Sequence, residues 1–316
     1  SRILVKTLKT QNPIIHSPQI LPSDLISKIN NSDADIINLH WIQNEMLSVK
    51  DIIKIKKPIV WTLHDMWAFC GAEHYTEDNR WHEGYYSYNR PNYESGFDLN
   101  KWTWQRKFKY WKKPLHIVTP SRWLSACVSK SRLMKNWPVF TIPYPIDKLK
   151  WKPIDKKIAR KILNIPSDVH LILFGALGGG KDPSKGFNLL VEALQKLKLK
   201  NNFQNLELLI FGEDRPKHET KFGFKTHYTG HLYDDLSLNI EYGAADVMVI
   251  PSRQDNLPNT GIEAHACGTP VVSFNVTGLP DIIKHLETGY LAKAFDTDGL
   301  ANGISWTLDP LNLNNL

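Results

Sequence analysis

The chain of 316 residues is 42% hydrophobic and 22% charged, the balance of a folded globular protein of roughly two domains. This excludes a collagenous repeat, a disordered tail and a small disulfide scaffold, because a chain of this size buries about 75% of its unfolded surface without a covalent or metal staple. Net charge is +7 and unevenly spread: residues 1–150 hold 22 Lys and Arg against 13 Asp and Glu, residues 151–316 hold 17 against 19, and nine of eleven tryptophans precede residue 151. An anionic or amphipathic partner is therefore expected at the N-terminal half.

Cys70, Cys127 and Cys267 are far apart and form no C-x-x-C pair, which favours a reducing cytosol and leaves no zinc framework. No apolar run reaches the ~18 residues of a membrane span, and the opening SRILVKTLKTQNP lacks the apolar centre of a secretory signal. A cytoplasmic chain, not integral to a membrane, is expected.

In chain order, DIINLHW (35–41) and PIVWTLH (58–64) are apolar runs that are continuous rather than alternating, which predicts strands buried on both faces of a parallel sheet. The second ends at His64, followed by Asp65, Met66 and Trp67. A histidine at the carboxyl end of a central strand points toward a ligand crevice, although a lone histidine is more often a satisfied core residue. From Ala68 to Asp98 the periodicity fails in a stretch crowded with Tyr, His, Glu, Asn and Gly, the pattern of a binding loop or lid, with an inert surface excursion as the alternative. Cys70, His74 and His82 have no fourth ligand at a convincing spacing, so no metal is assigned.

KWTWQRKFKYWKK (101–113) carries six basic residues, five aromatics and no acid. It reads either as a helix with aromatics in the core and lysines in solvent, or as a membrane-interface segment drawn to anionic headgroups. Single-stranded nucleic acid is a third, weaker reading. Strands follow at LHIVTP (115–120) and VFTIP (139–143). The proline-rich IPYPIDKLKWKPIDKK then reads as a linker near 144–155, dividing the chain into domains 1–147 and 148–316.

After the linker come HLILFGA, a helix from about Phe187 to Leu199, LELLIFG, HYTG, a helix from about Leu236 to Tyr242, DVMVIPS, a helix near Thr260 to Cys267, TPVVSF and GYLA. This is the β/α alternation of a doubly wound fold, and two Rossmann-like α/β domains facing a central cleft are the expected architecture. In FGALGGGKDPSKGFNLL (174–190), Gly178 and Gly179 permit close backbone approach to phosphate, while Lys181 and Lys185 supply charge. The spacing narrowly misses a P-loop, and Asp182 in the Ser/Thr place excludes the nucleotide-triphosphatase reading.

In PSRQDNLPNTGIEAHACGTPVV (251–272), a helix starting after Pro258 and capped by Asn259 or Thr260 offers N–H groups and a positive dipole end to a diphosphate. Asp255 on the preceding loop and Glu263 one turn into the helix can both face the cleft. The plain alternative is a turn-capping Asp255 and a solvated Glu263.

These residues resemble family-4 retaining glycosyltransferases of the GT-B fold, whose signature is Glu, seven residues, Glu, then A-x-A-x-G-x-P-V-V. Here Asp255 takes the first position and Glu263 the second, followed by EAHACGTPVV; the likeness extends to GLPDII, TGYLA and PSRWL at 120–124. The resemblance implies that Glu263 holds the donor ribose, that Asp255 contacts the transferred sugar, and that the donor diphosphate lies near Asn259, Thr260 and Gly261. Lys185 and Gly186 match the family's K-G element. Its Arg position is Ala176, so Lys181 or Arg253 is expected to supply the second positive charge. TLHD resembles the N-domain strand that reaches the donor sugar, which makes His64 a catalytic candidate beside Asp255 and Lys185.

HDMWAF and EHY are similar to a bacterial branch that builds surface polysaccharides, including lipopolysaccharide. The implied function is retaining, metal-independent transfer of a hexose, without cofactor, from a nucleotide-diphosphate sugar to a glycan or polyprenyl-diphosphate-linked acceptor. That acceptor would lie against the first domain at Trp67, His74, Tyr75 and Arg80, with peripheral contact to the inner membrane face through 101–113 and no nucleic acid. By the same resemblance a first strand and a last crossover helix are missing. A nucleotide-sugar epimerase or phosphorylase on the same fold, and a basic nucleic-acid-binding module, are the alternatives.

Overall fold

The computed structural model describes residues 2–175, 182–200, 205–215 and 223–313. The chain divides into two compact units, Ser1–Pro143 and Tyr144–Leu316.

The first unit has strands β1 (Leu8–Thr10), β2 (Ile37–His40), β3 (Ile59–Thr62), β4 (Glu94–Gly96), β5 (His116–Thr119) and β6 (Val139–Thr141). Its helices are α1 (Arg2–Val5), α2 (Leu25–Asn31), α3 (Arg80–Glu83), α4 (Leu99–Tyr110) and α5 (Arg122–Lys130). Strands β2-β3-β5-β6 form a parallel sheet in that order, and β1 pairs with β4 in an antiparallel ribbon. Ile and Val recur along the sheet, stiff side chains that pack well on a pleated surface. Helix α5 starts where the Ser121 hydroxyl accepts the Leu124 N–H, and it buries Leu124, Cys127 and Val128 on one face.

The 68–98 stretch is part core and part surface: from Tyr86 to Asp98 every residue but Glu94 is exposed or half-buried. Its first seven residues, through His74, are buried, and α3 and β4 lie within it. Arg80, only 2% exposed, is paired with Asp78 at 2.8 Å and Glu94 at 2.7 Å. The Tyr85 hydroxyl donates to Glu73. Lys107 of α4 is fully buried, donates to the carbonyls of Trp67, Cys70 (3.1 Å) and Gly71 (2.7 Å), and stands 3.7 Å above the Trp67 ring. Buried polar groups persist only when paired, so the lost periodicity marks a polar core. Burial pushes the Glu73 carboxyl up to about 7, against the opposing pull of Arg80 and Tyr85, and pushes the Lys107 amine down to about 7.

Much of the 101–113 segment is therefore core. Trp104, Lys107 and Trp111 are buried and unavailable to a membrane, while Lys109, Lys112 and Lys113 are exposed. Lys107 breaks the expectation that the lysines of this helix are solvated, because three carbonyl oxygens replace its water.

The second unit has strands β7 (His170–Gly175), β8 (Leu206–Phe211), β9 (Lys225–Gly230), β10 (Val247–Ile250), β11 (Val271–Phe274) and β12 (Gly289–Ala292). Its helices are α6 (Lys156–Ile162), α7 (Phe187–Leu199), α8 (Asp235–Ala244), α9 (Asn259–Ala266), α10 (Thr297–Leu308) and α11 (Pro310–Leu313). The six strands are parallel in the order β12-β11-β10-β7-β8-β9. Period-two alternation splits the core: Ile172 and Phe174 pack with α7 and α10, and Leu171 and Leu173 with α6, α8 and α9. The strand order reverses at β7, and this switch point places a crevice beyond the carboxyl ends of β7 and β10.

Candidate active site

The loops leaving β7 and β10 are bonded to each other. The Arg253 N–H donates to the Ser184 carbonyl at 2.7 Å. Gly186 has a φ of +67°, and a Cβ there would lie 1.9 Å from the Pro251 carbonyl oxygen, so only glycine permits this approach. Lys185 ends a single 3-10 turn, Pro183–Lys185, and its Nζ lies 2.7 Å from Asp255 Oδ2. Ser252 donates to the same oxygen at 3.4 Å, and the Asp255 N–H donates to Thr277 Oγ1 at 3.2 Å. Two residues singled out in the sequence, 70 positions apart, thus form one ion pair at the switch point.

Helix α9 begins beside this pair. Its N-cap is Pro258 and no side chain caps it, so the expected capping by Asn259 or Thr260 does not occur: both are the first residues of the helix itself. The Gly261 N–H donates to the Pro258 carbonyl at 3.1 Å, and no side chain caps the N–H groups before it, which with the dipole are able to receive an anion. Gly261 is buried under Ile250 and Ile282, where a Cβ would meet their side chains at 3.0 and 3.3 Å.

Glu263 is half-buried and accepts a hydrogen bond from the Tyr242 hydroxyl at 2.7 Å. Burial raises its carboxyl above the ordinary range and Asp235 adds to this, while the Tyr242 bond opposes it. Burial and the neighbouring Glu263 raise the Tyr242 phenol, so the phenol stays the donor. Glu263 lines a cavity of about 260 Å³ with Asn259, Ile262, Asp235, Trp151 and Tyr144, all in the second unit. The Arg253 guanidinium packs over the Phe295 ring at 5.4 Å rather than on Asp255. Gly178, Gly179 and Lys181 lie outside the described residues.

In the first unit, His64 follows β3 and its Nε2 lies 3.0 Å from Nδ1 of His40, the last residue of β2. Burial first, then the neighbouring His40, lowers the His64 imidazole below the ordinary histidine range, with Asp65 opposing. The Tyr75 hydroxyl donates to the His64 carbonyl at 3.2 Å, and its ring stacks on Trp123. Tyr75 thus stays beside His64.

Three expected acceptor contacts are not surface residues. Trp67 is fully buried with its indole N–H on the Ser17 carbonyl at 2.8 Å. His74 is 4% exposed, with Nδ1 at 2.8 Å from Asp65 and Nε2 at 2.9 Å from Ser17 Oγ. Arg80 is consumed by Asp78 and Glu94. Trp67 and His74 read as ligand contacts in sequence because their partner Ser17 lies 50 and 57 positions away, and Arg80 because Glu94 lies 14 positions on. Sequence reasoning also passed over Tyr242, Thr277 and His40. For His40 a signal existed, since both DIINLHW and PIVWTLH carry Leu-His at or next to their ends, on adjacent parallel strands; nothing marked Tyr242 or Thr277.

Residues 169–309 match the family described as "Glycosyl transferases group 1". The chain is 27% identical over 184 residues to D-inositol 3-phosphate glycosyltransferase 2 of Catenulispora acidiphila, covering 54% of this chain and 42% of that protein. It is 30% identical over 174 residues to an uncharacterized glycosyltransferase of Methanocaldococcus jannaschii, covering 52% and 42%. The chain thus spans less than half the length of these curated relatives. Among solved structures, sucrose-phosphate synthase of Thermosynechococcus elongatus superposes with a TM-score of 0.68 at 20% identity, over 92% of this chain and 69% of that one. Anabaena HepE in complex with UDP and glucose superposes with a TM-score of 0.62 at 15% identity, over 92% and 73%. The chain has the GT-B fold of two Rossmann-like units, and its second unit is similar over residues 169–309 to the group 1 glycosyl transferases.

Proposed function

We propose that the chain transfers a hexose from a nucleotide-diphosphate sugar to a glycan or lipid-linked glycan acceptor, with retention at the anomeric carbon and without a metal ion. The observation that carries this reading is the Lys185–Asp255 pair set beside the start of α9 at the switch point. A cation and a helix N-terminus together stabilise the charge that develops on a departing diphosphate. In this reading Lys185 exchanges Asp255 for the diphosphate, Glu263 accepts the ribose hydroxyls, Asp255 orients the sugar and His64 is a catalytic candidate. The UDP bound by the Anabaena structure supports a nucleotide donor.

The test is a thermal-shift series with UDP-, GDP-, ADP- and dTDP-sugars, since a ligand bound to the native state raises its stability. One class should raise the midpoint, and Lys185→Ala should weaken that response. No response to any of the four would overturn the reading, and turnover of the donor without acceptor would favour an epimerase. Proton NMR of the product's anomeric centre tests retention.

The acceptor side is proposed to work at the inner face of a bacterial membrane, in surface-polysaccharide synthesis. Support comes from Lys56, Lys112, Lys113, Arg132 and Lys135, exposed and without ion-pair partners among the described residues. They border two adjoining pockets of about 380 and 240 Å³ that share Trp111, Pro114 and Trp137 and contain no carboxylate in their walls. Flotation on vesicles containing anionic lipid should recover the protein, and Glu at positions 112, 113 and 135 should abolish recovery. Equal recovery on neutral vesicles argues against this docking.

A further inference from the structure

We propose that Trp41 is the platform on which a pyranose ring of the acceptor lies; this rests on the transferase reading above. Trp41 follows β2 directly, next to the His40–His64 contact at the carboxyl end of the sheet, where open parallel sheets bind their ligands. Of the eleven tryptophans it is the one in the exposed class, at 42%.

Its position is built rather than incidental. Trp41 has a φ of +34°, and Asn44 and Glu45 in the same loop have φ of +56° and +66°. A bulky residue in the left-handed region is an outlier that surrounding contacts must enforce. The enforcing contacts are present. The buried Gln19 amide donates to the carbonyls of Ile42 (2.7 Å) and Leu47 (2.6 Å) and accepts the Glu45 N–H, while Glu45 accepts the N–H groups of Ile20 and Leu21, each at 2.8 Å.

Behind the indole stands His74, ring centroids 5.9 Å apart. Asp65 holds His74 at 2.8 Å and also accepts from Gln43 of the same loop at 3.2 Å. The buried network that removes Trp67 and His74 from solvent therefore supports an exposed indole in front of it.

The chemistry of that surface fits a sugar. The C–H face of a pyranose is apolar while its rim is polar, so stacking on an electron-rich indole removes two apolar faces from water and leaves the hydroxyls to the flanking imidazoles. A rigid indole also loses little conformational freedom on contact, unlike an exposed lysine or glutamate.

The test uses ligand-observed saturation-transfer NMR on the full chain, with the methyl glycosides of glucose, galactose, mannose and N-acetylglucosamine as acceptor probes. The nucleoside diphosphate favoured by the thermal series serves as the control. Wild type should saturate at least one glycoside; Trp41→Ala should reduce that signal about tenfold and Trp41→Phe should keep most of it, with the nucleotide signal within twofold throughout. Trp41→Gly, which accepts the left-handed backbone without strain, keeps the test valid if the alanine variant fails to fold. Intact nucleotide binding with a glycoside signal unchanged in Trp41→Ala, or absent in wild type, overturns the platform alone. Loss of all nucleotide binding in wild type overturns the transferase reading and the platform with it.

Discussion

The two parallel sheets position their functional side chains by different means. In the second unit backbone topology does it: the reversal of strand order at β7 brings together two loops, and Gly186, Pro251 and the Arg253 N–H bind them into one ridge. The charges described there are few: the Lys185–Asp255 pair stands next to the start of α9. In the first unit the described sheet runs β2-β3-β5-β6 without a reversal, and the candidate residues at its carboxyl edge are held by buried side-chain pairs behind them. A site set by topology tolerates a change in one side chain. A site set by a polar core depends on every member.

The largest expected effect breaks that core. Arg80→Met leaves the half-buried Asp78 without its cation and the buried Glu94 with only Arg90 at 3.8 Å, and should destabilise the first unit by about 3–5 kcal/mol, read by urea unfolding with a probe in each unit. If the first unit loses under ~1 kcal/mol, its packing does not rest on these pairs. Next, Gly186→Ala should cost about 1–3 kcal/mol in the second unit and displace the loop from Pro251, because the added methyl meets backbone at 1.9 Å. Unchanged stability would show that the two loops separate readily.

A pH experiment sharpens the contrast further. Glu73, with its folded value raised to about 7 from 4.5, binds a proton more tightly folded than unfolded. Its contribution is full below about pH 4.5 and is lost as pH rises through about 7. Relative to Glu73→Gln, wild type should therefore lose stability between those limits, by on the order of 3 kcal/mol. A flat difference across that window would mean that Glu73 titrates normally. The smallest effect is expected at the topological site: Lys185→Ala should weaken donor binding about tenfold, about 1.4 kcal/mol, by calorimetry with the favoured nucleotide sugar. No change in affinity would leave the α9 terminus as the principal anion contact.

The same contrast explains what could be read from the sequence. Phe187–Leu199 was legible as a helix and Val247–Ile250 as a strand, because a sheet covered on both faces writes its burial directly as apolar runs. Lys185, Asp255 and Glu263 were legible through spacing, although not that the first two are paired, since an ion pair across 70 positions leaves no local mark. In the first unit the polar stretch after Trp67 imitated an exposed loop. A buried Arg80 and a solvent-facing arginine look alike until Glu94 is found beside one of them. Trp41 was hidden for the converse reason: an exposed tryptophan at the end of an apolar run reads as part of its strand.

The Lys185–Asp255 pair has a consequence for selectivity. Asp255 is a carboxylate tethered 2.7 Å from the lysine, which makes it a built-in competitor at an effective concentration of roughly millimolar or above. A simple anion such as inorganic phosphate must outbid this resident partner using charge alone. On the proposed reading, a nucleotide sugar would bring a ribose to Glu263 and phosphates to the α9 terminus, and would displace the carboxylate with help from contacts that a free ion does not make. The same reading makes the site one gated by its own counter-ion, expected to stay indifferent to the anions that crowd any cell.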